Sequence, residues 1–494
     1  MSHSNPLIRA VAVVASLLVS TASLAAVRGE SGSTSGCAAG VQRCFSLVAA
    51  SGSIVTGDGN NLPAWGYAMA GGAQPMQYPG PTLIVNQGER ISITLTNSLP
   101  LPASIVFPGQ TGVTATGGTT GALTQEVASG GGSVTYTFTA SQPGTFLYHS
   151  GTRPELEVEF GLLGALIVRP AGFDAANAAT RKSYGPVSTA YDREYLYLLS
   201  EMDRSAHEQL GEIQRLMAAT PGTTFDQAVA LLPEPADGLP KLDAARFTST
   251  LWFINGRNGP DTLLDPAVGW LPAQPYNATT RAHPGDRVLM RIVGAGRDLH
   301  PFHHHGNNAW LIARDAQVLQ SATGASAPYP DFLGLPALAA LGATLPDQAV
   351  SNFTIQIVPG STYDAIFTWT GLGLGWDFYG HRDPDGAGPL GCPPPELYED
   401  PASHCKTFTQ TNGDTLPVTM PEQQALTFGG FWSGGPYLGG GAALPPGEGG
   451  LNPNAGYTFM WHSHTERELT NDDIFPGGMM TMLIIEPPGV TIAD

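Results

Sequence analysis

Residues 287–306 carry the pattern that decides how this chain is interpreted. They contain the apolar run Arg287-Val-Leu-Met-Arg-Ile-Val293 and the histidine-rich motif His300-Pro-Phe-His-His-His-Gly306. A short run of branched apolar residues between turn-forming residues is typical of a β-strand. Because alternate side chains of a strand share one face, His303 and His305 are expected to point the same way. The stretch therefore predicts β structure that carries paired histidines.

Comparable strand patterns recur on both sides of this stretch. They are Thr82–Asn86, Arg90–Thr96, Ser133–Phe138 and Gly144–His149 in the first part of the chain, and Trp252–Gly256, Ala309–Ala313, Phe353–Val358, Tyr363–Trp369, Tyr457–His462 and Met479–Ile485 in the second. Many short strands separated by turns are typical of β-sandwiches. The sequence thus predicts an all-β fold with one sandwich over residues 37–172 and another over residues 246–494.

Two regions depart from the strand pattern. Residues 173–245 are predicted to be a linker with some helix, since residues 206–217 show helical periodicity. Residues 371–455, within the second sandwich, are rich in Gly and Pro and predict a long loop insertion.

The composition excludes several classes of protein. The 494 residues include 62 Gly and 42 Pro, whereas only 13% are charged. A helical bundle usually has about 25% charged residues and therefore fits poorly. The net charge of −19 argues against a nucleic-acid partner, because phosphate binding needs clustered Lys and Arg.

The N-terminus predicts export. Residues 1–26 have the form of a signal peptide, in which Arg9 precedes the apolar run Ala10–Ser20 and small residues follow. That run is too short to span a membrane, and no later stretch of spanning length is expected. We therefore expect a periplasmic or extracellular protein without a membrane span.

The four cysteines fit the same compartment. We expect two disulfides, Cys37 with Cys44 and Cys392 with Cys405, each closing a short loop. Other pairings are possible from the sequence alone.

The histidines are concentrated in three motifs at predicted strand ends, which hold seven of the twelve. The motifs are Tyr148-His-Ser-Gly151, His300-Pro-Phe-His-His-His-Gly306 and Trp461-His-Ser-His464. Neutral imidazoles without carboxylates in the motif favour copper or zinc over calcium or magnesium. A single histidine such as His149 is more often a core residue, but four histidines within six positions are poorly explained by packing.

These motifs, together with Tyr78-Pro-Gly-Pro-Thr-Leu-Ile-Val85, Val358-Pro-Gly-Ser-Thr-Tyr-Asp364 and Gly478-Met479, give the chain a family resemblance. It resembles the multicopper oxidases and their two-domain cupredoxin relatives, including copper nitrite reductases, over nearly the whole mature chain. The resemblance implies tandem cupredoxin-like Greek-key sandwiches, copper as cofactor, and a homotrimer with metal sites between neighbouring subunits.

The resemblance also implies which residues bind metal. His300 matches a type 1 copper ligand, His303 a type 2 ligand and His305 a type 3 ligand. His149, His462 and His464 match further ligands of the trinuclear cluster, so that five of its eight histidines remain. His304 is expected to face the other way, in an outer-shell or surface position. His300 has local hydrogen bonding as an equally good alternative to metal binding.

Several ligand positions of the family are changed in this chain. Val106 and Pro108 replace one histidine pair, and Gly151 replaces the partner of His149. Ser463 stands where the family has the copper-binding cysteine, and Glu468 stands where it has a further histidine. A serine hydroxyl has neither the softness nor the pKa of a thiolate, so no conventional blue type 1 centre is expected.

Acidic residues near these motifs have two interpretations. Glu466, Glu468, Asp472 and Asp473 predict a solvated loop, although beside a copper site they would also attract a cationic substrate such as a metal ion. The alternating Glu155, Glu157 and Glu159 predict a solvated strand face or a subunit contact.

The leading functional prediction is copper-dependent oxidoreduction at a non-blue site, acting on a small molecule or a metal ion, with no catalytic residue assigned. The alternatives are a non-catalytic copper-binding or scaffold protein that has lost electron entry, and an extracellular assembly subunit.

Overall fold

The computed structural model describes residues 27–234, 241–328, 344–369, 433–434, 457–486 and 490–492. The predicted signal peptide, the Cys392–Cys405 pair and most of the predicted loop insertion lie outside these residues. Among the described residues, none of the helices is both long and apolar enough to cross a bilayer.

The first sandwich is formed by the strands before residue 170. They are β1 (Arg43–Val55), β2 (Asn61–Met69), β3 (Leu83–Asn86), β4 (Arg90–Asn97), β5 (Thr114–Gly117), β6 (Thr119–Thr120), β7 (Gln125–Glu126), β8 (Ser133–Thr139), β9 (Gly144–His149) and β10 (Leu163–Arg169), with the short helix α1 (Pro154–Glu157) between the last two. One sheet has the order β2-β1-β4-β8-β5 and the other β3-β10-β9.

Alternation of buried and more exposed side chains along the strands explains how the two sheets pack. In β8, Val134, Tyr136 and Phe138 are buried, and the residues between them face outward or are half-buried. Strand β10 is buried along its whole length because both of its faces are covered. The two sheets therefore enclose one apolar core.

The region predicted as a helical linker contains both helix and strand. It begins the second sandwich with β11 (Arg193–Met202), which is followed by α2 (Arg204–Ala219) and α3 (Phe225–Leu231). Asp203 caps α2 by accepting a hydrogen bond from the Ala206 backbone N–H. Leu210 and Ile213 of α2 pack into the core of the first sandwich, so the helices cover the first domain.

The second sandwich contains the remaining strands. They are β12 (Leu251–Ile254), β13 (Thr280–Ala282), β14 (Arg287–Gly294), β15 (His300–His304), β16 (Ala309–Arg314), β17 (Gln317–Val318), β18 (Ser326–Pro328), β19 (Thr344–Pro346), β20 (Val350–Asn352), β21 (Thr354–Ile357), β22 (Thr362–Thr368), β23 (Ser433–Gly434), β24 (Tyr457–Ser463) and β25 (Met480–Ile485). Its sheets have the orders β12-β11-β14-β22-β16-β17 and β13-β25-β24-β15-β21. The prediction of an all-β fold with two sandwiches is confirmed.

An apolar layer joins the two sandwiches. Leu147 and Leu163 of the first sandwich and Leu198, Phe253 and Val293 of the second belong to one buried cluster. Because this surface is removed from water, the two domains are held as one packed body rather than as two units on a flexible tether.

A buried ion-pair network crosses the same boundary. The Glu194 carboxylate accepts hydrogen bonds from Arg169 of the first sandwich, at 2.5 Å, and from Arg291 of the second, at 2.9 Å. Arg291 also donates to Thr145 of the first sandwich, whose hydroxyl donates to Asp364. The opposite charges compensate one another inside the protein.

One disulfide is described, between Cys37 and Cys44, with the Cα atoms 5.6 Å apart. It ties the segment before β1 to that strand and confirms the first of the two predicted cysteine pairs.

Replacing Glu194 tests the boundary network. Burial alone would raise the pKa of Glu194, but the charges of Arg169 and Arg291 outweigh it and lower the pKa from 4.5 to about 2. The stabilisation is thus complete above the unfolded-state pKa and is lost as the pH falls from 4.5 through 2. Glu194→Gln removes the charge that Arg169 and Arg291 share, leaving Arg291 with Asp364 at 3.7 Å, and is expected to lower the free energy of unfolding at pH 7 by about 3–5 kcal/mol.

Urea denaturation at pH 7 and at steps down to pH 2 measures this effect. The difference between wild type and Glu194→Gln should shrink with falling pH. The exposed Glu208→Gln is the matched control and should change stability little. A pH-independent difference would contradict an ionised Glu194.

Candidate metal centre

The site is formed where β15 pairs with β24. In this antiparallel ladder His303 lies opposite His462, and Phe302 opposite Ser463. The pairing continues beyond β15, because the His305 N–H donates to the Met460 carbonyl and the His464 N–H to that of Pro301. Residues opposite one another on an antiparallel pair share a face. The register therefore brings His303, His305, His462 and His464 to one side of the sheet.

Three of these imidazoles converge closely. One possible ligand atom from each of His303, His305 and His462 lies within 4.8 Å of those of the other two. The Nε2 atoms of His305 and His462 are 3.2 Å apart. His303 and His462 are buried and His305 is half-buried. This spacing is small enough for one metal ion to contact all three rings.

His464 lies at the edge of this cluster and is exposed. Its ring centre is 4.8 Å from that of His303 and 5.8 Å from that of His462. It is not among the three residues whose ligand atoms are mutually close, so it provides a fourth ring on the solvent side.

Neighbouring groups fix the orientation of the rings. His462 Nδ1 lies 2.6 Å from the Ser463 carbonyl oxygen, and His303 Nδ1 lies 2.7 Å from Thr354 Oγ1. A carbonyl only accepts, so His462 Nδ1 carries the hydrogen and its Nε2, facing His305, has a lone pair. The Trp461 indole N–H donates to the His305 carbonyl at 3.1 Å. Such outer contacts hold metal-binding histidines in position.

Two rings of the cluster are neutral at physiological pH. Burial and the neighbouring imidazoles together lower the pKa of His303 to about 3. Burial likewise lowers the pKa of His462 to about 4. Deprotonated rings have the lone pairs that a metal ion requires. The donor set, three imidazole nitrogens without a carboxylate, suits copper or zinc.

His300 has a different environment from the other predicted ligands. Its Nε2 lies 2.9 Å from Glu201 Oε2, and its Nδ1 lies 2.9 Å from Glu468 Oε2. Burial would lower the pKa of His300, but these two carboxylates raise it to about 9. Because carboxylates only accept, both ring nitrogens donate and neither has a lone pair for a metal. The alternative of local hydrogen bonding therefore describes His300 in this structure.

His149 lies away from the cluster within this chain. It ends β9 and lines a cavity of about 220 Å³ between the two sandwiches. Its Nδ1 is 2.8 Å from the Ser150 carbonyl, which repeats the arrangement of His462 and Ser463 in the second domain. The same contact again leaves Nε2 as the nitrogen with the lone pair.

His304 points into the opposite side of the sheet, as strand alternation requires, but it is buried rather than at the surface. Its Nε2 lies 2.9 Å from the Asn352 carbonyl oxygen. The ring packs between Phe367 and Trp461, so His304 is a core residue beneath the cluster.

The prediction for the acidic residues around position 157 was wrong. Residues Pro154–Glu157 form a short helix rather than a strand, and Glu157 and Glu159 are buried. Glu159 accepts hydrogen bonds from the Asp203 N–H at 2.6 Å and from Arg297 at 2.5 Å. Pro154, which is favourable at the start of a helix, was the signal available in the sequence.

Glu201 is the site residue that sequence reasoning missed. Besides binding His300, its carboxylate accepts from the backbone N–H groups of Arg297 and Asp298. Gly296 permits this approach, since a Cβ there would lie 1.9 Å from Glu201 Oε2. Nothing in the local pattern of β11 distinguishes Glu201, because its partners come from distant parts of the chain.

Comparison with known proteins identifies the relatives of this chain. Residues 73–172 match the family model for multicopper oxidase. The chain is 31% identical over 244 residues to a copper-containing nitrite reductase of Alcaligenes xylosoxydans xylosoxydans, covering 47% of this chain and 59% of the relative. It is 38% identical over 253 residues to a probable nitrite reductase-hydroxylamine oxidoreductase fusion protein of Kuenenia stuttgartiensis, covering 50% of this chain and 22% of the relative.

A further match is with a laccase of Aspergillus fumigatus, 38% identical over 96 residues and covering 19% of this chain and 16% of the relative. Among solved structures, a blue copper oxidase from Nitrosomonas europaea aligns with a TM-score of 0.48 at 18% identity, over 90% of this chain and 85% of that one. The chain spans less than two thirds of the length of these three sequence relatives. The family match and the sequence relatives support the resemblance of this chain to the multicopper oxidase superfamily.

Proposed function

We propose that this protein is an exported copper-dependent oxidoreductase whose copper is held by His303, His305 and His462. The observation that carries the proposal is the convergence of three imidazoles, each with one possible ligand atom within 4.8 Å of those of the other two. Copper bound there would transfer single electrons by alternating between Cu(I) and Cu(II). The protein supplies the nitrogen ligands, their fixed orientation and a partly buried setting.

The proposed site is non-blue because no thiolate lies beside it in the part of the chain that the structure describes. Ser463 is buried, and its Oγ accepts a hydrogen bond from the Thr465 N–H. The adjoining His300 has both nitrogens engaged by carboxylates. Neither residue offers a soft, charged donor, so copper with blue type 1 properties is not expected at this position.

His149 and His464 are proposed as additional ligands in an oligomer. The relatives named copper-containing nitrite reductase, and the motif resemblance, support a homotrimer in which the first domain of one subunit faces the second domain of another. His149 Nε2 would then approach the histidine cluster of a neighbouring copy. The exposed position of His464 is compatible with a contact made by a second subunit.

A non-catalytic copper-binding or scaffold protein is the second candidate. The observation that favours it is the ion-paired His300, which occupies the position through which relatives with a type 1 centre would receive electrons. Replacement of three family ligands by Val106, Pro108 and Gly151 also favours a non-catalytic protein. Steady oxidation of a reductant by the copper-loaded protein would support the enzyme, whereas tightly bound copper that never turns over would support the alternative.

Removing ligands tests the proposed copper site. His303→Ala and His305→Ala should each weaken copper binding by at least about 10–100-fold, the loss typical of disturbing even an outer contact of a metal ligand. Competition with a chromophoric chelator measures the affinity. The control is His283→Ala, since His283 contacts Asp286 and the Val490 carbonyl outside the cluster. Equal affinity in all variants would exclude this site.

Restoring a thiolate tests the assignment of the altered type 1 position. Ser463→Cys alone should not give an intense copper–thiolate absorption, because His300 Nδ1 still faces Glu468. Ser463→Cys combined with Glu468→His should give it, since His300 Nδ1 is released while Glu201 still holds Nε2. Optical absorption spectra of the two copper-loaded variants test this prediction. Intense blue absorption by the copper-loaded wild-type protein would contradict the proposal.

Export is tested by the mature N-terminus. The disulfide between Cys37 and Cys44 supports an oxidising compartment. Expression of the full chain in a bacterium should release a protein that begins at Ala26 or Val27 into the periplasm or medium. N-terminal sequencing checks the cut, and an uncut chain retained in the cytoplasm would contradict export.

A further inference from the structure

The cavity between the two sandwiches lies outside the cluster of His303, His305 and His462, although His149 of its wall is proposed above as a ligand in an oligomer. It has a volume of about 220 Å³ and is lined by His149, Glu155, Val158 and Leu163 of the first sandwich and by Ala295 and Arg297 of the second, among others. Ligand pockets occur preferentially at domain boundaries. The polar and apolar groups of its wall indicate which kind of ligand the cavity would bind.

Most charged groups of the wall are already paired. Glu159 accepts from Arg297 and from the Asp203 N–H. The oxygens of Glu201 are taken by His300 and by backbone N–H groups. The guanidinium of Arg297 is also stacked on Phe247, 4.8 Å from the ring centre. These groups form the wall and have little capacity left for a ligand.

Two acceptors remain less engaged. The Nδ1 contact of His149 with a carbonyl leaves Nε2 as an acceptor. Glu155 is 56% exposed at the side chain, and its nearest charged partner, Arg153, is 3.7 Å away, a separation at which an exposed pair is weak. Both acceptors require a ligand that donates hydrogen bonds, and the carboxylate favours one with positive charge.

The rest of the wall is apolar. Leu147, Val158, Leu163 and Ala295 face the cavity, and they would contact carbon rather than polar atoms. The volume lies below the roughly 300–1,000 Å³ of pockets for drug-sized ligands. The cavity is therefore suited to a small molecule.

We propose that this cavity binds a small primary amine, with its ammonium group at His149 Nε2 and Glu155 and its apolar body against Val158 and Leu163. The walls exclude small carboxylates and phosphates, because the one guanidinium among the described lining residues is held by Glu159. The proposal does not depend on copper binding at His303, His305 and His462. Copper and the amine would compete for His149 Nε2, so amine binding is tested on metal-free protein.

Calorimetric titration of the metal-free, full-length mature protein with 2-phenylethylamine tests the proposal. We expect saturable binding of one amine per chain, and at least fivefold weaker binding of 2-phenylethanol, which matches the amine in shape but lacks its charge. Glu155→Gln should weaken amine binding by about fivefold, the upper range for a partly exposed ion pair. Val158→Phe, at a half-buried position of the wall, should abolish binding by filling the cavity.

The net charge of −19 would attract any amine weakly, so a matched charge control is needed. Glu212→Gln removes an exposed carboxylate on α2 and should leave amine binding unchanged. Equal weakening by Glu212→Gln and Glu155→Gln would mean non-specific attraction and would overturn the proposal. Equal binding of amine and alcohol, absence of binding, or full binding to Val158→Phe would overturn it as well.

Discussion

The antiparallel register between β15 and β24 is the constraint on which the site depends. It sets His303 opposite His462 and, through the pleat, brings His305 and His464 to the same face. A shift of β15 by one residue would turn His303 and His305 toward the core and His304 toward solvent, away from His462 and His464. The buried Phe302 and Trp461, which pack into the core from the other face, oppose such a shift. The packing of the sandwich therefore fixes the geometry of the proposed metal site.

The position that the motif resemblance matches to a type 1 centre is closed by charge rather than left empty. His300, Glu201 and Glu468 are all buried, and a protonated imidazole between two carboxylates satisfies their hydrogen-bonding capacity without a metal. In the motif resemblance, Glu468 replaces a ligand histidine and Ser463 replaces the cysteine. In this structure Glu468 pairs with His300, and Ser463 accepts from the Thr465 N–H.

The sequence predicted the fold and the histidine cluster because both follow from local periodicity. Strand alternation and the spacing of His303 with His305 and of His462 with His464 are visible in short stretches. The pairing of Glu201 with His300 was not predictable in this way, since β11 and β15 are distant in the chain and meet only after folding. The sequence wrongly placed β11 in a linker for the same reason: the strands that pair with β11 are distant in the chain. The distance of His149 from the cluster likewise depends on how two domains pack.

Electron paramagnetic resonance of the protein loaded with Cu(II) tests the central claim most directly. Copper held by three imidazoles without a thiolate should show a wide copper hyperfine splitting and couplings to nitrogen, and both should disappear in a His303→Ala, His305→Ala double variant. A narrow copper hyperfine splitting with strong thiolate absorption would contradict the account, as would a signal unchanged in the double variant.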